Sequence, residues 1–469
     1  MTVRYQNSTG HGGVPAYYRV RRHTFNQETG TMAVNRFVAS ITLALASAGA
    51  WAEVSLMDVY QQALENDPEL AIQSLNQRVS AVQVDTGFSE LLPSVNASAG
   101  YTVSSTPGNG VGPDFDNGQS VSARVTASQN IFALAAIDAY EALKLNASRV
   151  EIESVAAQQS LMVRVAEAYI SVLRAKEGLD SAQTQLRAVE RQAEQTEQRY
   201  EVGLVTVTDV LDAQATLDQS RVALISANSE YDIALQNLSV LTGEVPDSVM
   251  AIGTRLPINM PVENGQDRWI DYALENHPSI LAAQKGLESG ERELQARRNN
   301  RLPVLSASAS VNYQDNASDG IDFDDRLGSS IGLSLSVPLY TGGATSAQIV
   351  STGLQNNIAE QRLEQLKRNT RIQVGTYYRQ LRTAAQNIDA QARVVESRES
   401  ALQATEVGYE VGTRNIVEVL NAQQAVFAAR QDFANARYDY VISGLLLKQS
   451  AGQLSVSDLE QIESYLISF

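Results

Sequence analysis

A single offset runs through this chain. Leu64 to Leu70 reads LENDPEL and Leu274 to Ile280 reads LENHPSI, 210 residues apart, and Leu92-Pro93-Ser94 answers Leu302-Pro303-Val304 at the same spacing. Tyr200 to Gly203 (YEVG) recurs as Tyr409 to Gly412, Asp209 to Gln214 (DVLDAQ) recurs as Glu418 to Gln423 (EVLNAQ), and Gly243 maps onto Gly452, all at 209. A spacing held over almost 190 residues marks an internal duplication, roughly 56–246 and 266–456, so whatever one half folds into the other must fold into as well. The chain divides into a leader (1–52), a first repeat (53–246), a linker (247–265), a second repeat (266–456) and a tail (457–469).

Proline sorts the elements within each copy. None of the 11 prolines lies in 114–245 or 339–469, as long helices require, because an interior proline costs about 3 kcal/mol. In those tracts Val165, Val172, Leu179, Leu186, Ala193 and Tyr200 fall every seven residues, as do their counterparts Val374, Leu381, Ile388, Val395, Leu402 and Tyr409. A new phase follows each YEVG turn, with Val210, Leu217, Leu224, Tyr231 and Leu238 in copy one and Val419, Val426, Phe433, Tyr440 and Leu447 in copy two. Strict sevens predict coiled-coil-like packing. The expected helices are 56–90, 134–200 and 208–242, then 266–300, 343–410 and 413–450, the longest about 100 Å at 1.5 Å per residue. The predicted fold is mainly α and elongated.

Between the first short helix and the long one, the period drops to two. Val95, Ala97, Ala99, Tyr101 and Val103 alternate with small polar residues, then Val121, Ala123, Val125 and Ala127 do the same. Copy two repeats this with Leu305, Ala307, Ala309, Val311 and Tyr313, then Ile331, Leu333, Leu335, Val337 and Leu339. These predict strands 94–103, 119–132, 304–314 and 328–340, joined by a Gly-, Pro- and Asp-rich loop at 104–118 and a loop with five aspartates at 315–327. Each is about the length that crosses hydrocarbon when tilted, with one apolar face. In lipid an open sheet edge leaves backbone groups unpaired at several kcal/mol each, and the smallest single-chain barrels have about eight strands. Four strands cannot close alone, so several copies must share a barrel; this argument does not choose between dimer and trimer.

Met32 to Glu53 fits an exported chain: Arg36, an apolar run from Phe37 to Ala48, then Ala50 and Ala52 before a cleavage point, which predicts a signal peptide over 32–52. The run is too short to span a bilayer as a helix. Without the leader, 31 basic residues stand against 52 acidic ones and His277 is the only histidine, which argues against nucleic-acid binding. With no cysteine and no nucleophile–base pair, metal cluster or cofactor loop in the sequence, the expectation is no enzyme, no catalytic residue, no metal and no cofactor. An exported fibrous coiled-coil envelope protein is the competing reading of the same pattern.

The segments Arg199-Tyr200-Glu201-Val202-Gly203-Leu204-Val205 and Thr208-Asp209-Val210-Leu211, with Gly408 to Leu420 (GYEVGTRNIVEVL), closely resemble the outer-membrane efflux protein family of TolC-like outer-membrane factors. The likeness extends over essentially the whole mature chain in repeat order and element lengths. It implies a homotrimer whose strands build a shared 12-stranded outer-membrane β-barrel, continued by a helical α-barrel across the periplasm of a Gram-negative cell. It also implies a passive channel serving efflux or type I secretion, engaged by a periplasmic adaptor (membrane fusion) protein and an inner-membrane pump of RND, ABC or MFS type. The adaptor-contacting turns would be Gly203-Leu204-Val205 and Gly412-Thr413-Arg414. Gating links would join Tyr409 and Arg414 to Thr208 and Asp209. The family's two acidic entrance positions read Glu418 and Asn421 here, so one ring of carboxylates is expected instead of two, with like charges across the trimer raising the Glu418 pKa.

Overall fold

The computed structural model describes residues 54–107, 115–252, 265–318, 321–322 and 325–467; the leader expected over 1–52 lies outside them. The first copy runs α1 (Leu56–Asn66), α2 (Pro68–Ser89), β1 (Ser94–Pro107), β2 (Phe115–Phe132), α3 (Leu134–Glu201) and α4 (Val207–Thr242), followed by the short β3 (Ala251–Ile252). The second runs α5 (Gln266–Asn276), α6 (Pro278–Asn299), β4 (Val304–Ser318), the two-residue β5 (Ile321–Asp322), β6 (Arg326–Ser336), α7 (Ala344–Glu410) and α8 (Ile416–Ser450), then α9 (Val456–Glu463) and β7 (Leu466–Ile467).

The first short helix of each copy, expected over 56–90 and 266–300 as one piece, is two. Proline has no N–H and pushes the residue before it out of the α region, so Asp67 (φ −68°, ψ 118°) and His277 (φ −64°, ψ 123°) end one helix and cap the next. The Asp67 carboxylate accepts the Leu70 N–H at 2.9 Å, and His277 Nδ1 accepts the Ser279 N–H at 3.1 Å. Asp67 is only 3% exposed and takes both arms of Arg164, Nη1 at 3.1 Å and Nη2 at 2.8 Å. Through the repeat, Asp67 corresponds to His277 and Arg164 to Gln373. Copy two has therefore exchanged both members of a charged pair for neutral groups.

The strands form one antiparallel sheet in the order β1, β2, β4, β6, with β5 on the end of β4. Register makes the apolar face continuous: Ala99 pairs Ala123, Ala123 lies in line with Tyr313, Ala127 pairs Ala309, and Ala309 pairs Ile331. On the other face Ser94 and Ser128 share a 2.9 Å hydrogen bond, as do Ser310 and Ser330. β1 and β6 are the outer strands, and on β6 Leu327, Ile331, Leu333 and Leu335 are each at least 65% exposed. β6 stops at Ser336, short of the expected 340, because Pro338 cannot donate to a ladder.

Helix α3 packs against α2, α4, α6 and α8, and α7 packs against α5, α6 and α8. The helices thus follow the order α2/α4, α3, α6/α8, α7, with α2 and α4 along one margin and α7 along the other. Position in that order explains burial. Val163 and Val172 of α3 are buried, whereas their counterparts in α7, Ile372 and Leu381, are exposed and half-buried, covered from one side only. The main core gathers where Leu161 to Leu173 of α3 meets Leu56 and Val59 of α1, Leu238 of α4, Val441 of α8 and Leu459 of α9. The tail is not a frayed end: Ser455 and Asp458 form a capping box that starts α9, Leu459 is fully buried, and Leu466–Ile467 pairs with Ala251–Ile252.

Burial alone would raise the Asp67 pKa, but the Arg164 guanidinium and the Leu70 N–H outweigh it and hold the carboxyl below its ordinary value. Its stabilisation is complete above the unfolded aspartate value of about 3.9 and is lost as pH falls through the lower folded one. Burial lowers the His277 pKa, so its contribution is complete above about pH 6.5 and declines as acid protonates the capping nitrogen. Asp67→Ala should cost about 2–4 kcal/mol in denaturant unfolding followed by helical circular dichroism, and Asp67→Asn, which still caps, distinctly less. His277→Asn, a cap at every pH, should flatten the loss of thermal stability between about pH 7 and 5; an unchanged slope would clear His277 of that role.

Candidate functional site: the paired helical turns

Both copies reverse direction in turns made from the same two local motifs. At the first, the N–H of Gly203 reaches Tyr200 O and that of Leu204 reaches Arg199 O, each at 2.9 Å, closing the end of α3. At the second, Gly412 N–H bonds Tyr409 O at 3.1 Å and Thr413 N–H bonds Gly408 O at 2.8 Å, closing α7. Gly203 and Gly412 sit at φ +77° and +79° with open space where a Cβ would be, so backbone conformation alone demands glycine.

The outgoing helices begin with capping boxes. Thr206 Oγ1 accepts the Asp209 N–H at 3.3 Å while the Asp209 carboxylate accepts the Thr206 N–H at 2.8 Å. Asn415 Oδ1 accepts the Glu418 N–H at 2.9 Å, and the Glu418 carboxylate accepts the Asn415 N–H in return. Arg414, in the turn, pairs with Glu418 in the first turn of α8, not with Asp209 of the same chain. That hydrogen bond holds the Glu418 carboxyl below its ordinary pKa, so within one chain the direction is the reverse of the raised value expected from repeated like charges. Gly408 permits this arrangement, since a Cβ there would stand 2.7 Å from Arg414 Cγ.

Beneath the turns Val189 of α3, Leu217 of α4, and Ile416, Val419 and Leu420 of α8 form a small core against which Tyr409 packs, so the two hairpins meet. Above it Val202, Leu204 and Val411 are each about 70% exposed. Thr208, Thr413 and Asn421 are exposed; Val205 and Asp209 are half-buried. One contact escaped the sequence reading. The Arg199 guanidinium lies over the Tyr409 ring, 4.7 Å from its centroid, a geometry worth roughly 0.5–1 kcal/mol at an exposed site. The only signal for it was an arginine beside the YEVG motif.

The rest of the described chain offers little competing chemistry. Among the described residues no group of three or more His, Asp or Glu side chains is placed to hold a metal ion, and no helix is long and apolar enough to cross a membrane.

The family model for outer membrane efflux proteins matches residues 59–244 and 269–453, one match for each copy. The chain is 32% identical over 433 residues to outer membrane protein TolC of Vibrio cholerae serotype O1, covering 91% of this chain and 97% of that one. It is 27% identical to the alkaline protease secretion protein AprF of Pseudomonas aeruginosa, covering 88% of each. The fold matches the Campylobacter jejuni CmeC outer membrane channel with a TM-score of 0.73 at 18% identity, over 88% of this chain and 90% of that one.

Two variants check that the turns are held by their own local bonds. Asn415→Ala removes a cap worth about 1 kcal/mol, and Gly412→Ala forces a left-handed residue at about 1–2 kcal/mol. Each should speed amide hydrogen exchange in its own turn and leave exchange in the main core around Leu161 and Leu238 as it was.

Proposed function

The chain belongs to the outer membrane efflux protein family, and from that membership we propose that three copies form a passive exit duct that crosses the outer membrane and extends through the periplasm. The single observation that carries this reading is the four-stranded sheet with two unpaired margins, β1 and β6, and one continuous apolar face. In hydrocarbon those margins must pair, and margins that differ from each other join head to tail, which generates a ring. The helices follow the same logic. Ile72, Leu75, Val79 and Val82 of α2 with Val222 and Ile225 of α4 leave an apolar stripe on one margin, and Val350, Leu354, Ile358 and Ile372 of α7 leave one on the other, every residue more than half exposed. Each stripe is the natural cover for the other in a neighbouring copy.

At the far end of the helices from the sheet, the exposed Val202, Leu204 and Val411 offer an apolar docking surface for a periplasmic adaptor protein, with Gly203, Val205, Gly412 and Thr413 shaping the turns. The efflux and secretion names of the relatives support partnership with an inner-membrane pump, which supplies the energy; the duct itself performs no covalent chemistry. Tyr409 and Arg414, facing Thr208 and Asp209 of the neighbouring hairpin, hold the entrance shut. Arg414 has five N–H donors, so it can keep Glu418 and still reach Asp209 of the next copy. Three copies of Glu418 line the entrance with negative charge, while Asn421 adds none.

A fibrous envelope protein would stay soluble without detergent. The duct should fractionate with outer membranes, migrate as an SDS-resistant oligomer until heated, and conduct in planar bilayers. Arg414→Ala combined with Tyr409→Phe should raise single-channel conductance; no change would remove Arg414 and the Tyr409 hydroxyl from the gate. Glu418→Gln should weaken cation selectivity and block by multivalent cations, and unaltered selectivity would place the selective ring elsewhere.

A further inference from the structure

We propose that Arg199 is a further gate residue: its guanidinium, stacked on Tyr409, clamps the first hairpin to the second within each subunit. This rests on the duct reading and adds to it a contact inside one chain, where the Arg414 link above runs to the next copy. The geometry separates the two. Among the described residues Arg199 has no carboxylate partner, and its guanidinium lies on the Tyr409 ring, 4.7 Å away. The Tyr409 hydroxyl is buried without a hydrogen-bond partner, so within the chain the tyrosine acts through its ring and not its oxygen. That ring is also anchored from below, because Tyr409 packs on the core built from Val189, Leu217 and Ile416.

The duplication shows that the contact runs one way. The counterpart of Arg199 in copy two is Gly408, and the counterpart of Arg414 in copy one is Val205. Each hairpin therefore has one arginine at its turn, on opposite sides of it. Arg414, on the outgoing side, has its stem against Gly408 and its head on Glu418 in the first turn of α8. Arg199, on the incoming side, reaches across to the other hairpin. The reciprocal contact has no arginine to make it, and Tyr200, the counterpart of Tyr409, is left 46% exposed. Because each turn is closed by its own backbone and capping bonds, moving one hairpin away from the other breaks little else at this level than the small core and this stack. The cation over the ring therefore bears directly on how easily the entrance widens.

Planar-bilayer recording of the full-length oligomer tests this with Arg199→Gln, Tyr409→Leu, their combination, and Tyr409→Phe. Arg199 lies in the last turn of α3, outside the buried cores, so its replacement leaves assembly intact, checked by heat-modifiable migration on gels. Arg199→Gln and Tyr409→Leu should each raise open probability about two- to fivefold, the combination should do no more than either alone, and Tyr409→Phe, which keeps the ring, should open the channel less than Tyr409→Leu. Additive effects in the combination, or equal opening by Phe and Leu at 409, would overturn the clamp by assigning the effect to the hydroxyl or to packing. If Arg414→Ala opens the channel while Arg199→Gln does nothing, the duct reading stands and the clamp falls; a wild-type protein that never conducts brings down both.

Discussion

Unpaired backbone at the margins of a sheet is the constraint from which the other features of this protein follow. Each N–H or C=O left bare in hydrocarbon costs several kcal/mol, far more than any single side-chain contact returns. One chain supplies four long strands in the order β1, β2, β4, β6, with an apolar face running across all of them. It therefore cannot enter a membrane as a monomer without exposing two edges. The duplication makes this tractable. Each copy contributes one hairpin, the hairpins join through β2 and β4, and the chain is left with two unlike ends, which the proposed ring of copies would pair.

The helices inherit that arrangement. With α2 and α4 at one margin and α7 at the other, the helical layer has the same handed pair of unlike edges as the sheet, and exposed valines, isoleucines and leucines mark both. A single rotation thus closes strands and helices together. This also accounts for the uneven burial of the two long helices, which have equivalent sequences in the repeat. Helix α3, flanked on both sides, buries Val163 and Val172, while α7, flanked on one side within the chain, leaves their counterparts Ile372 exposed and Leu381 half covered.

Much of this was legible in the sequence because the signals were local and repeated. A heptad read from Val165 to Tyr200, an alternation from Val95 to Val103, and the YEVG turns all depend on residues close in the chain, and each was stated twice. The residues that escaped act at a distance or only once. Pro68 marks Asp67 as a local break, but nothing near it announces Arg164, 97 positions away. The tail has no counterpart in the first copy, so Leu459 and the pairing of Leu466–Ile467 with Ala251–Ile252 had no second statement to lend them weight. Arg199 over Tyr409 joins the two copies to each other, and a comparison of one copy with the other cannot reveal a contact between them.

The departures from exact repetition fall where charge is involved, and they suggest how a duplicated chain acquires moving parts. In the frame, copy one fixes Asp67 with Arg164, and copy two does the same capping with the uncharged His277, Gln373 standing at the sequence position of Arg164; the backbone path is kept while the electrostatics differ. At the turns the exchange of Arg199 and Val205 for Gly408 and Arg414 keeps the path again and redirects one cation across the hairpins. Each turn, tied by its glycine and capping box, is a rigid cap on its own pair of helices. Flexing within a turn would break several backbone bonds, whereas parting the two hairpins at their turns breaks a five-residue core and one stack. Displacement of one hairpin end from the other, each turn kept rigid, is therefore the softer motion, and the side chains that bridge hairpins, not those that shape the turns, set its cost.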